Sequence, residues 1–182
     1  MNAKIIVIFI TALVFAFVSI PSIGLSAELK IGIKAEPSST DPHFYVFSPN
    51  LMIAAYTFDR LVNQDANMNM KAGLAVSWKP VDDLTWEFKL REGVKWHDGS
   101  PFSAEDVEFS LKRAPNVPKS PSSFGRFVKQ IKSIQIIDPL TIHLKTGKPF
   151  PLMPAYLSVV PIVSKKNGEG ANTKDYNTGK AM

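Results

Sequence analysis

Hydrophobic and polar positions alternate most cleanly between Leu84 and Arg91. Trp86, Phe88 and Leu90 interleave with Glu87, Lys89 and Arg91, the period-two pattern of a strand with one buried and one wet face. His97-Asp98-Gly99 is turn chemistry, because an Asp side chain can accept from backbone two residues on and Gly takes up positive φ. Pro101 limits the chain before Ser103, which stands where a helix N-cap belongs. Asp106 three residues later completes a short version of the capping box. Ala104, Val107, Phe109 and Leu111 leave an apolar helix face, and Pro115 ends it. The same pattern reading predicts a first strand over 29–34, where Leu29, Ile31 and Ile33 alternate with Lys30, Gly32 and Lys34. Glu36 to Pro42 should be a loop. A helix should open at Ser48-Pro49, with Ser48 as cap, and run to about Phe58 with Leu51, Ile53, Ala54, Ala55 and Phe58 inward. Leu61-Val62 and 73–78 predict short strands, punctuated by turns at 65–67 and 82–83. Asn116 to Ser123 is a Pro- and Ser-rich surface loop. Ile131–Ile137 and Leu140–Thr146 flank Asp138-Pro139 as a hairpin. A short helix is expected over 149–157 and a polar tail from Ser164 onward. The mature chain is therefore predicted to be α+β, with antiparallel sheet dominating.

The first 27 residues are a different material. Lys4 is followed by an apolar run from Ile5 to Ile20, and then by Pro21, Ser22, Gly24, Ser26 and Ala27. This is the layout of a secretory signal peptide cleaved after Ala27. The run is shorter than the roughly 20 residues that span a bilayer, which favours a cleaved leader over a membrane anchor. The chain has 182 residues, 45% of them hydrophobic and 20% charged, with a net charge of +5. Those are ordinary globular values. The basic residues are scattered and form no stripe interleaved with aromatics, so nucleic acid is not an expected partner. There is no cysteine, hence no disulfide framework and no thiol for a lipid anchor at a mature N-terminus. A secreted chain without a lipid anchor is retained by the cell only where a second membrane encloses the space, so a Gram-negative periplasm is the expected compartment.

Candidate chemistry is sparse. His43, His97 and His143 lack the spacing of a metal pair, so no metal or other cofactor is expected. His143 alternates with Thr141 and Lys145 and should face solvent. His97 beside Asp98 could suggest acid–base work, but no nucleophile converges on the pair and Asp98-Gly99 is already explained as a turn. No catalytic residue is assigned, and an enzyme is not expected. Trp78, Trp86 and Trp96 are read as core anchors with their indole N–H groups tied to acceptors. The segment from Glu36 to Met52 differs. It joins a loop, three aromatics (Phe44, Tyr45 and Phe47) and a helix start, a combination that can bury an apolar ligand while polar groups orient it. Aromatics that simply pack the loop would account for it equally well.

As a string, the central run resembles the signature of the bacterial extracellular solute-binding proteins of family 5, the peptide- and nickel-binding receptors of ATP-binding-cassette importers. The residues that carry the resemblance are Gly73-Leu74-Ala75, Ser77-Trp78, Asp83, the run Thr85 to Arg91, the run Gly93 to Gly99, Pro101-Phe102 and Ala104 to Val107. A weaker likeness extends from about Glu28 to Gly179. The resemblance implies the N-terminal portion of a type II periplasmic-binding-protein-like fold. Its divisions would be a signal peptide (1–27), the first strand and crossover of the main lobe (28–40), an inserted, largely antiparallel subdomain (41–165) and a polar tail (166–182) leading to a remainder. It also implies ligand contacts at Glu36, Tyr45, Phe47, Ser48 and Met52, and places Asp41-Pro42-His43 in a segment common in the family. The implied function is non-covalent capture of di- or oligopeptides and delivery to permease subunits in the inner membrane. The second lobe and hinge of the family are not found before Met182, so a truncated receptor is expected and capture by this chain alone is not. The alternatives are a secreted interaction or sensor module built from the subdomain, or a receptor for nickel or another small solute.

Overall fold

The computed structural model describes residues 28–33 and 35–182. The chain divides into two units, Met1–Gly32 and Ile33–Met182. The leader predicted over 1–27 lies outside the described residues. Residues 28–33 carry no regular secondary structure, and Leu29 is 82% exposed. The strand expected over 29–34 is thus not formed at 28–33, and Lys34 lies outside the described residues. Period-two alternation marks a face but supplies no partner, and an unpaired strand has no ladder to hold it.

In the second unit, helix α1 (Ser48–Thr57) leads into a two-stranded hairpin of β1 (Val62–Gln64) and β2 (Met70–Ala72). Strands β3 (Ala75–Pro80) and β4 (Thr85–Leu90) follow, then α2 (Ala104–Arg113) and the short α3 (Gly125–Val128). Strands β5 (Ile131–Asp138) and β6 (Thr141–Thr146) complete an antiparallel sheet of order β3-β4-β6-β5. Three short helices close the unit: α4 (Met153–Leu157), α5 (Lys165–Gly168) and α6 (Thr173–Asn177). The mixed, largely antiparallel architecture agrees with the sequence.

One device recurs at the turns. Asp65, Asp82, Asp98 and Asp138 each accept a backbone N–H two residues on, from Asn67, Leu84, Ser100 and Leu140, at 2.8–2.9 Å. These bonds fix the reversals between strands and so the register. Gly99, at φ +81, supplies the left-handed residue that the 97–99 turn needs. On the inner face Phe88 pairs with Ile142, Ile142 with Ile136, and Leu144 with Ile134. Val107 and Leu111 of α2 join Phe88, Ile142 and Leu144 in one core cluster. The Ser103–Asp106 capping box forms as the sequence implies.

Several boundaries differ from expectation. Helix α1 is capped by Phe47 rather than Ser48, with Pro49 at N2. Of its five residues expected to face inward, Ala54 is buried, Leu51, Ile53 and Phe58 are half-buried and Ala55 is exposed. The region 73–78 holds only β3, because β2 begins earlier, at Met70. Phe124, wholly buried beside α3, marks an element the sequence did not announce. The stretch after Ser164 is no plain polar tail. It forms α5 and α6 and buries Tyr176 and Ala181. Its composition is polar because its helices are short and wet on one side, while one aromatic carries the packing.

Candidate ligand-binding site

The segment before α1 is tied down by a buried polar cluster. Asp41 lies 1% exposed, and both its carboxylate oxygens are engaged by Arg113, the last residue of α2. Arg113 Nη2 donates to Asp41 Oδ2 at 2.7 Å and Nη1 donates to Oδ1 at 2.9 Å, a bidentate fork. Nη1 also reaches His43 Nδ1 at 3.1 Å. A guanidinium can only donate, so Nδ1 is the acceptor and Nε2 carries the proton. Nε2 then donates to the Pro161 carbonyl at 2.7 Å. Burial, and secondarily the charge of Arg113, push the His43 imidazole down to about 4, so it is neutral at ordinary pH. Burial alone would raise the Asp41 carboxyl, but the hydrogen bonds and charge of Arg113 outweigh it and hold it below the usual carboxylate range.

Helix α6 locks onto the same group. Thr173 Oγ1 donates to Asp41 Oδ2 at 2.8 Å, and Asn177 Oδ1 accepts from Ser39 Oγ at 2.7 Å and from the Thr40 amide at 2.9 Å. The Arg113 guanidinium lies 4.2 Å from the centre of the Tyr176 ring, a cation–π contact. Burial pushes the Tyr176 hydroxyl up to about 12, and among the described residues that oxygen has no hydrogen-bond partner.

From this anchor the chain passes to the predicted ligand residues. Phe44 accepts from Ser120 Oγ at 2.6 Å, and the Val46 amide donates to the Ser122 carbonyl at 3.0 Å. The rings of Tyr45 and Phe47 stack at 5.1 Å between centroids, and Phe47 remains 38% exposed. Ser48 and Met52 follow at i and i+4 on one face of α1, the first exposed and the second half-buried. The structure thus brings Tyr45 and Phe47 together, with Ser48 and Met52 beginning on the next residue. Glu36 is exposed and, among the described residues, makes no ion pair or hydrogen bond to them. Arg113, Thr173 and Tyr176 were not singled out from the sequence, and Arg113 alone reads as a cation suiting the C-terminal end of a helix.

Other candidates settle into scaffold. His143 is half-buried and does not face open solvent, because its Nε2 donates to Glu87 Oε2 at 3.0 Å across the sheet. That bond is the first cause holding the Glu87 carboxyl low. Asp98 is held well below the carboxylate range, first by Lys166 and then by Ser100. The indole N–H of Trp86 donates to the Phe150 carbonyl and that of Trp96 to Asp106, both at 3.2 Å. All three Trp are half-buried. A cavity of about 150 Å³ lies among Phe58, Leu74, Trp96, Phe102 and Ile162, and none of the five predicted ligand residues lines it. No group of three His, Asp or Glu gathers as a metal site among the described residues.

The unit thus sets an antiparallel sheet against a capped helix, with an aromatic loop anchored at the far end of that helix. The chain belongs to the bacterial extracellular solute-binding proteins, family 5, whose middle-region profile matches residues 69–181. It is 39% identical over 100 residues to the periplasmic murein peptide-binding protein MppA of Escherichia coli K12, covering 55% of this chain and 18% of that protein. Against the glutathione-binding protein GsiB of Escherichia coli O1:K1 the identity is 28% over 159 residues, covering 84% of this chain and 31% of the relative. The solved structure of NikZ from Campylobacter jejuni, in complex with Ni(L-His), superposes with a TM-score of 0.68 at 34% identity, covering 80% of this chain and 29% of that one. The chain therefore spans less than a third of the length of each of these relatives.

Proposed function

We propose that this chain is the N-terminal portion of a periplasmic receptor that captures di- or oligopeptides and hands them to the permease subunits of an ABC importer. The family match over residues 69–181 carries this reading, and the likeness to a murein peptide-binding protein supports the peptide class. Residues 1–27 serve as the cleaved leader, residues 41–165 as the subdomain inserted in the first lobe, and the Tyr45–Phe47 pair as one wall of the cleft. Stacked rings beside a helix start bury apolar parts of a peptide while backbone groups and Ser48 orient its polar ones. Capture is non-covalent, so the protein supplies shape and hydrogen bonds and no reacting group. A second reading, a receptor for a nickel chelate, is favoured by the likeness to NikZ.

Calorimetric titration decides between them. The full gene product carrying this chain is titrated with a pool of di- to pentapeptides, with glutathione and with nickel–histidine. Micromolar peptide binding by the full product, with no measurable heat from the 182-residue chain alone, is the expected result. Binding of nickel–histidine only would overturn the peptide assignment. Micromolar peptide binding by the 182-residue chain would overturn the view that it is a portion of the receptor.

A further inference from the structure

Arg113 sits far in sequence from every predicted ligand residue, yet its side chain is 11% exposed and spends its donors on the segment that leads to them. It forks onto Asp41, donates to His43 and lies over Tyr176. His43 is two residues from Tyr45, and the far end of the same segment is fixed independently by Val46 on Ser122. The loop 41–47 is therefore a short span between two anchors. In the first of them the Arg113 guanidinium is the one charged partner, beside the neutral contacts from Thr173 to Asp41 and from His43 to the Pro161 carbonyl.

We infer that Arg113 is a positioning residue, acting through Asp41 and His43 to hold the loop 41–47 so that the stacked Tyr45 and Phe47 rings stand ready for ligand. This rests on the reading of the protein as a peptide receptor. The geometry requires arginine in particular. One planar group makes three directed donations, two to a carboxylate and one to an imidazole nitrogen, and a lysine ammonium cannot reproduce that fork. Arg113 can only donate and the Pro161 carbonyl can only accept, so the two contacts together fix the His43 tautomer, with Nδ1 accepting and Nε2 donating. Loss of the fork takes the charged partner from Asp41 and the donor from His43 Nδ1, leaving the segment only its neutral contacts to Thr173, Pro161, Ser120 and Ser122, whereas the sheet and the capping box of α2 keep their own contacts.

The test compares Arg113→Met, Arg113→Lys and Val107→Ala, the last a core substitution on α2 that takes no part in the Arg113 hydrogen bonds. Hydrogen exchange on the 182-residue chain reads the Val46 amide against that of Phe88 in β4. Titration of the full gene product reads peptide affinity. Arg113→Met is expected to speed Val46 exchange at least tenfold relative to Phe88 and to weaken peptide binding at least tenfold. Arg113→Lys should fall between wild type and Arg113→Met in both readouts, and it also serves where Arg113→Met does not fold. Val107→Ala should lower the melting temperature with both ratios unchanged. Unchanged Val46 protection in the arginine variants, or equal losses in Val107→Ala, would overturn the positioning role. If the wild-type product binds no peptide, the receptor reading fails, and the exchange ratio still decides whether Arg113 holds the loop.

Discussion

The run Leu84–Ser110 and the segment Glu36–Met52 are built on opposite principles. In the first, the turn and the helix cap are closed by near neighbours, Asp98 accepting from Ser100 and Asp106 from the Ser103 amide three residues away, and distant partners such as Lys166 on Asp98 only add to them. In the second, the holding contacts span the chain. Asp41 meets Arg113 across 72 positions and Thr173 across 132, and His43 meets the Pro161 carbonyl across 118. The first region lies within residues 69–181, which the family profile matches. The second carries the aromatic pair and depends on the rest of the unit to place it.

The largest effect should come from breaking the long-range cluster. Asp41→Ala leaves the largely buried Arg113 guanidinium without its charged partner and should destabilise the chain by about 3–5 kcal/mol, read by urea denaturation. A loss below about 1 kcal/mol would place the stability elsewhere. Next is pH. His43 is neutral in the fold because its imidazole is pushed from 6.5 down to about 4. The unfolded chain binds the proton first, so stability is full above about pH 6.5, falls as pH drops toward 4 and levels off below it. The total is on the order of 3 kcal/mol. His43→Gln should flatten that slope, leaving the loss at lower pH that comes from the carboxyls held low in the fold, Asp41, Glu87 and Asp98 among them. A parallel slope in the variant would assign the pH dependence to another group.

In the scaffold, Trp86→Ala should cost about 3 kcal/mol, since the ring is half-buried and tied to Phe150. Thermal denaturation with an unshifted midpoint would show that Trp86 does not anchor the sheet. Ser103→Ala removes one capping acceptor and should cost about 1 kcal/mol. Phe47→Ala should change stability least, by less than about 1 kcal/mol, because the ring is largely open to solvent. A larger loss would make it a packing residue.

What could be read from the sequence follows the same division. Strand β4, the β5–β6 hairpin, the Ser103 cap and the Asp turns were legible because period, cap and turn chemistry act over two to four residues. The Leu29–Ile33 alternation misled because a strand also needs a partner, which no local pattern names. Helix α6 was missed because its one buried aromatic, Tyr176, is surrounded by polar residues that say nothing of Arg113. Of the candidate site, Phe44, Tyr45 and Phe47 were read as three aromatics of one loop, of which Tyr45 and Phe47 stack, while Glu36 stands apart from them. Their anchor was hidden, since its side chains come from three separate stretches, 39–43, Arg113 and 173–177.

The most direct test of the division of labour is peptide titration of the full gene product with Tyr45→Ala/Phe47→Ala set against His97→Ala. At least tenfold weaker binding in the first variant, with binding within twofold of wild type in the second, is expected. Unaltered binding without the two rings, or loss of binding on removal of His97, would contradict the assignment of function to the loop and scaffold to the signature run.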